Sequence, residues 1–270
     1  MAHAFDEAMT LEKIGAGRQR GTTSPAYGNF NGQFGGATAA LLLKAVMNEE
    51  GVAGAPVSLT ANFTAAVKQG AFEIAVRAVR TGRTLQHWAA EMTQGDVVVA
   101  SGLVTFGQRV SAWEHAPLKS PAAPMPETLK RFDTGTTPGW TSQYDMRFIE
   151  GSIEGLRGKP PLETPGDARS LLWLRHLERP LDFPALACMS DAFLVRLIQV
   201  RNTFPPMGTV SLTTQFHADD AMLAAHGDAA VLCDVNSRVF RANFHDQTAE
   251  MWSRDGRLLA TSHQMVWYAE

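Results

Sequence analysis

The motif Val-Ser-Leu-Thr-x-x-Phe occurs twice, at Val57–Phe63 and at Val210–Phe216, and no other feature constrains the chain as much. A helix-like run precedes each copy, Gly36–Val46 before the first and Asp191–Val200 before the second. A strand-rich stretch follows each. It passes through Glu91-Met92 and Ala100-Ser101 in one half, and through Glu250-Met251 and Ala260-Thr261 in the other. Internal self-similarity decides an architecture before local patterns do. Two copies make no solenoid; they describe one small α+β unit, duplicated and fused. A chain of 270 residues suits two such units, each near the common domain size of about 100–150 residues.

Composition excludes several classes. A hydrophobic content of 45% with 19% charged residues describes a globular protein able to bury a sizeable core. A net charge of −3 gives no electrostatic case for nucleic acid or an anionic membrane. Cys188 and Cys233 are not at metal-ligand or redox spacing, which suits a reducing compartment. The opening Met1-Ala-His-Ala-Phe-Asp-Glu is not a secretory start, and the longest apolar run, Ala39–Leu43, is too short to span a bilayer. The expected compartment is the cytoplasm.

Along the chain, a strand is expected over Leu11–Arg20, then a polar loop to Gln33. A helix starts at Gly35-Gly36, with Ala40, Leu43, Val46 and Met47 at spacings of three and four; Leu41 and Leu42 widen the stripe, so it is buried. Strands follow at Val57–Ala65, Phe72–Arg80, Thr84–Gln94 and Val97–Phe106, with a hairpin turn at Gly95-Asp96. The second unit repeats this order: strands at Tyr144–Gly151 and Ser170–Leu177, and a helix from Ser190-Asp191 to just before Pro205-Pro206. Strands then run over Thr209–Ala218, Ala229–Val239, Asn243–Ser253 and Arg257–Tyr268. Helix followed by a four-stranded antiparallel meander, twice over, suggests two curved sheets, each wrapped around a helix. The expected boundaries are 1–108 for the first unit, 109–141 for a Pro-rich linker with Ser120–Pro138 running over the surface, and 142–270 for the second unit.

The pattern is that of a double hotdog fold, and the chain resembles the acyl-CoA thioesterase II family over nearly its whole length. Leu11-Glu-Lys-Ile resembles the family's opening strand, Phe34-Gly35-Gly36 its helix start, Tyr144–Glu150 the opening strand of its second unit, and Leu172-Trp-Leu-Arg175 the strand after it. The resemblance implies a catalytic Asp, Thr and Gln, all from the second unit. The Asp follows a Ser, as Asp191 follows Ser190. The Thr lies eight residues before the His that ends a Phe-His strand, as Thr209 precedes Phe216-His217. The Gln follows a small-residue step in the last strand, as Gln264 follows Ala260-Thr-Ser-His. The chain departs from the family at Ser211-Leu212, usually Asp-His, at Gln215, usually Trp, and at Gly35-Gly36-Ala37, which tends to be Gly-Gly-Gln.

Such a set suits thioester hydrolysis, which needs an aimed water and a holder for the oxyanion. An Asp with an ordinary pKa of about 3.9 is ionised near neutrality and can take a proton from water, while a Thr and a Gln fix the water's direction. Backbone N–H groups at a helix start can meet the oxyanion, and Gly35 and Gly36 allow close approach. Each residue also has an ordinary structural reading: Asp191 as a helix cap or dipole partner, Thr209 as a good strand former, the glycines as a turn or a close packing contact. Gln264, among Leu258, Ala260, Val266 and Tyr268 of its phase, is the least expected of them and must find partners. His263 adjoins it but points to the opposite face. No Gly-rich phosphate loop or metal-ligand cluster appears, so no cofactor is expected.

The expected activity is hydrolysis of acyl-CoA to free fatty acid and CoA. A hotdog-type enoyl-CoA hydratase would place a His on the segment carrying the Asp, and none lies near Asp191. A non-catalytic acyl-CoA-binding protein stays open through Ser211 and Leu212. Apolar residues such as Val97 and Val99 on outer strand faces favour a homodimer or higher homo-oligomer.

Overall fold

The structure is a computed structural model and describes residues 2–110, 112–135 and 139–270. The first unit contains helix α1 (Ala4–Ala8), strands β1 (Glu12–Gly15), β2 (Arg18–Thr22), β3 (Gly28–Asn29) and β4 (Gly32–Gln33), and helix α2 (Gly35–Met47). Strands β5 (Ala55–Phe63), β6 (Ala71–Thr81), β7 (Leu85–Gln94) and β8 (Val97–Gly107) complete it. The second contains β9 (Tyr144–Glu150), β10 (Ser170–His176), α3 (Phe183–Met189), α4 (Arg196–Arg201), β11 (Met207–Phe216), α5 (Asp220–His226), β12 (Val231–Asn236), β13 (Phe240–Arg241), β14 (Phe244–Trp252) and β15 (Leu258–Tyr268). This is a double hotdog α+β fold.

One antiparallel sheet runs through both units in the order β1-β2-β6-β7-β8-β5-β11-β15-β14-β12-β10-β9. The expected four-stranded meanders are therefore three-stranded. The first strand after each helix skips its neighbour and pairs with the last of its unit, β5 with β8 and β11 with β15. That exchange brings the two copies of the repeated motif together at the sheet's centre. Ser58 pairs with Gln215 and Asn62 with Ser211, and between them Thr60 faces Thr213. The two hydroxyls hydrogen-bond at 3.1 Å across a separation of 153 residues, which equals the repeat spacing. A pseudo-twofold axis thus passes through this one pair.

The concave face wraps the helices, and a single apolar core runs through both units. α2 is buried on nearly every side, as its Leu41-Leu42-Leu43 run requires, and packs against α3. Two expectations change here. The Leu11–Arg20 strand is a hairpin of β1 and β2. Val97 is 55% exposed, but Val99 is buried, because the chain beyond β5 folds over it and Thr64 and Ala65 donate their amides to its carbonyl.

The Pro-rich stretch after β8 does more than connect. Ala123 and Leu129 cover a second apolar cluster of Leu171, Trp173, Ala230, Leu232 and Trp252 on the outer face of the second unit. Trp173 donates its indole N–H to the Pro124 carbonyl at 2.8 Å, and Arg147 donates to Pro126 and Leu129. Residues 136–138, the end of the expected linker, lie outside the described residues. At the other end, α1 bridges the halves: Phe5 meets Tyr27 of its own half with ring centroids 5.7 Å apart, and the helix also packs on the second. Phe5 lies beside His176, His3 hydrogen-bonds the Leu177 carbonyl at 2.7 Å, and Asp6 pairs with Arg179 at 2.8 Å.

Candidate active site

A helix is expected to open at Ser190-Asp191, but the structure interrupts the helical run there. α3 ends at Met189, α4 begins at Arg196, and the segment between them is irregular. The reason is a competition for one acceptor. In a continuous helix the Ser190 carbonyl would accept the Leu194 amide. Here Ser262 Oγ and Gln264 Nε2 both donate to it at 3.2 Å. The Ser190 hydroxyl is held in turn by the Ala187 carbonyl at 2.7 Å and by Thr214 Oγ1 at 2.8 Å. Asp191 is therefore not in a first helical turn of its own; it follows the end of α3.

It lies instead at the start of the other unit's helix. α2 has no side-chain cap, so the amides of its first turn are open to an outside acceptor. The Gly36 amide and the Gln264 side chain lie near the Asp191 carboxyl and favour its ionised form. Burial opposes them and wins, raising the carboxyl from 3.8 to about 7. The glycines are there for proximity. A Cβ on Gly35 would lie 2.7 Å from Asp191 Oδ2, and one on Gly36 would lie 2.3 Å from the Cys188 carbonyl, closer than packing allows. They make room for a protein carboxylate and for the end of α3.

Thr209 reaches the same place through a β-bulge. β11 pairs with β15 in register except between Thr209 and Ser211, where Val210 is extra. Strict alternation from the buried Leu212 would turn Val210 inward and Thr209 outward. The bulge reverses this and re-aims Thr209. Its Oγ1 donates to Gln264 Oε1 at 3.4 Å. Val210 is left 40% exposed.

Asp191, Gln264 and Thr209 thus come together from a loop and two strands, Thr209 bonding Gln264 and Gln264 bonding the Ser190 carbonyl beside Asp191. Asp191 is 8% and Gln264 3% exposed. His263 is on the outer face, 3.9 Å from Asp246. Leu212, one of the departures from the family pattern, is fully buried directly opposite Gln264 and adds no polar group. Among the described residues no three His, Cys, Asp or Glu side chains converge as metal ligands would. A cleft of about 200 Å³ between Glu127, Arg147, Trp173 and Arg254 lies elsewhere, beside the linker on the second unit's outer face.

Sequence reasoning missed the bulge, and it missed a further group of buried polar residues, Arg196, Gln199, His245 and Gln247. An arginine inside the apolar run Phe193–Val200 was the available signal.

The model of the acyl-CoA thioesterase N-terminal domain matches residues 23–107, and that of the acyl-CoA thioesterase C-terminal domain matches 117–268. A hot dog fold protein of unknown function from Alicyclobacillus acidocaldarius is 36% identical, with a TM-score of 0.92 over 100% of this chain and 99% of its own. The acyl-CoA thioesterase II TesB2 of Mycobacterium marinum shares the fold at 21% identity, with a TM-score of 0.77 over 98% of each chain. The tesB protein of Mycobacterium avium subsp. paratuberculosis does so at 20%, with a TM-score of 0.79 over the full length of both. Among curated proteins no match was found. With both domain models matched in order across most of its length, the chain belongs to the acyl-CoA thioesterase family.

Proposed function

We propose that the protein hydrolyses acyl-CoA thioesters to free acid and CoA, with Asp191 as the base that takes a proton from water and Thr209 and Gln264 as the groups that orient that water. One observation carries this reading: a loop and two strands bring an Asp, a Thr and a Gln together at the uncapped start of α2. Attack by water gives a tetrahedral oxyanion, and free amides in the first turn of α2 stabilise it. They are fixed donors at the positive end of a helix dipole, so they need not reorganise as charge develops. Collapse of the intermediate breaks the C–S bond, and the proton held by Asp191 goes to the departing CoA thiolate. An Asp with its carboxyl near 7 suits both steps, because it can gain and return a proton at neutral pH.

The test is release of free thiol from acyl-CoAs of increasing chain length. Turnover that peaks at one length supports hydrolysis. The absence of release with tight acyl-CoA binding would instead favour a binding protein, and the buried Leu212 opposite Gln264 is the feature to revert first. The reading places the protein in cytoplasmic fatty-acid metabolism, acting as a homo-oligomer.

A further inference from the structure

A buried guanidinium without a counter-charge sits on the inner side of the second unit, and we infer that it receives a carboxylate at the far end of the acyl group. The substrate class is then an ω-carboxyacyl-CoA, the CoA thioester of a dicarboxylic acid. This rests on the hydrolytic reading of Asp191, Thr209 and Gln264.

Arg196 is 1% exposed. Its partners are all neutral: the Leu194 carbonyl, the Ala168 carbonyl at 3.3 Å, Ser170 Oγ at 2.7 Å and Gln199 Oε1 at 2.8 Å. These satisfy most of its N–H groups but leave its charge unbalanced, and no carboxylate pairs with it among the described residues. Burying an unpaired charge costs several kcal/mol. Burial alone lowers its pKa to about 9. Nor do the neighbours need it, because Ser170 Oγ already reaches Gln199 Oε1 at 3.0 Å and the Gly151 carbonyl at 2.9 Å. A second buried group nearby is also unsatisfied. His245, 1% exposed, contacts the Asp246 carbonyl through Nδ1 at 2.8 Å, while its Nε2 has no partner. Burial holds the His245 pKa down, and the Arg196 charge adds to that effect.

These groups connect to the reaction centre along one wall. Gln247 in β14 lies directly opposite Gln264 in β15, and His245 follows two residues along on the same face. Ser170, which holds Arg196, is on β10, separated from β15 by β12 and β14. Three strand spacings amount to roughly 14 Å. With the water at one end and a hydrogen bond at the other, that span suits a chain of several methylenes between a thioester carbonyl and a carboxylate. The polarity is not a demand of the fold. In the first unit Val104 takes the place of Gln264 and Trp88 that of Gln247, and α2 presents Leu41-Leu42-Leu43. A fatty tail would lie against a cation whose charge nothing balances, whereas a distal carboxylate would pair with it.

The experiment compares kcat/KM for adipyl-CoA and suberyl-CoA with hexanoyl-CoA and octanoyl-CoA, which have the same chain lengths but no distal charge. The ω-carboxy thioesters are expected to be favoured by roughly 10²-fold, since a buried polar site penalises an analogue that leaves it unpaired. Arg196→Gln is expected to shrink that ratio toward one, and Arg196→Lys to shrink it less. Should Arg196→Gln fail to fold, the wild-type ratio decides alone. Neutral acyl-CoAs turned over as well as their ω-carboxy partners, or a ratio unchanged in folded Arg196→Gln, would overturn the assignment while leaving the hydrolase intact. No hydrolysis of any of the four would remove the hydrolytic reading, and this one with it.

Discussion

At three matched positions the inner wall of the first unit is apolar where that of the second is polar, although the buried Gln86 opposite Phe106 matches His245 opposite Val266. Pro56 faces Phe106 as Thr209 faces Val266, and Val104 faces Leu59 as Gln264 faces Leu212. Trp88 faces Val104 as Gln247 faces Gln264. Both units carry the bulge at the first Val of the repeated motif, between Pro56 and Ser58 in one and between Thr209 and Ser211 in the other. The bulge therefore belongs to the frame, and only the side chain it turns inward differs. The first unit supplies a dry core and a bare helix start; the second supplies the groups that need such a place. Chemistry can be concentrated in one half because the other half covers the cost of burying it.

The largest effect expected is on turnover. Asp191→Asn keeps the shape but cannot accept the proton, and kcat should fall by roughly 10²–10⁴-fold. Undiminished kcat in a folded variant would strip the second unit of its special status. The wild-type pH profile sharpens the same point: kcat/KM should drop below about pH 7 as Asp191 becomes protonated.

A reciprocal exchange comes next. Val104→Gln places an amide in the first unit's dry wall without partners, at a cost of about 1–3 kcal/mol on chemical denaturation. Gln264→Val should lose activity with a smaller loss of stability, since the apolar residue suits its buried setting. Equal stability losses in both directions would mean that the two walls are not the contrasting environments described.

Asp191 also marks the second unit in the pH dependence of stability. Its carboxyl is raised to about 7 when folded, against an ordinary 3.8, so the folded chain holds that proton more tightly. Stability then falls as pH rises from about 4 to about 7, and the cost persists above that range. The unfolding free energy of Asp191→Asn relative to wild type should climb between pH 4 and pH 8, by on the order of a few kcal/mol at most. A difference independent of pH would show that the carboxyl is not raised.

The smallest effect belongs to the seam. A double-mutant cycle on Thr60→Val and Thr213→Val should give a coupling of about 0.5–1 kcal/mol, because the pair is half-exposed. A coupling of zero would leave the pseudo-dyad a geometric coincidence at that contact.

What could be seen in advance divides along physical lines. Local rules made the repeat, the hairpin turns and the buried α2 legible, since glycine turns and apolar spacing act over a few residues. The membership of Asp191, Thr209 and Gln264 in one set came from resemblance, because nothing in a linear pattern tells that Thr209 is turned inward by a bulge. The broken helix was invisible for a related reason. The side chains that capture the Ser190 carbonyl arrive from β15, more than seventy residues downstream. The swap that places β5 beside β11 was hidden as well, although the repeated motif marked both strands.

The docking of α1 sets an order on synthesis. Phe5 meets Tyr27 of the first unit but also His176 and Arg179, so its burial is completed only after those later side chains have left the ribosome. At elongation rates of about 5–20 residues per second, that is a wait of roughly ten seconds or more. Throughout it an apolar segment is exposed that the nascent first unit covers only in part. The fused arrangement therefore makes α1 one of the last elements to complete its contacts, although it is made before the residues it needs, and it gives a chaperone a defined interval in which to hold it.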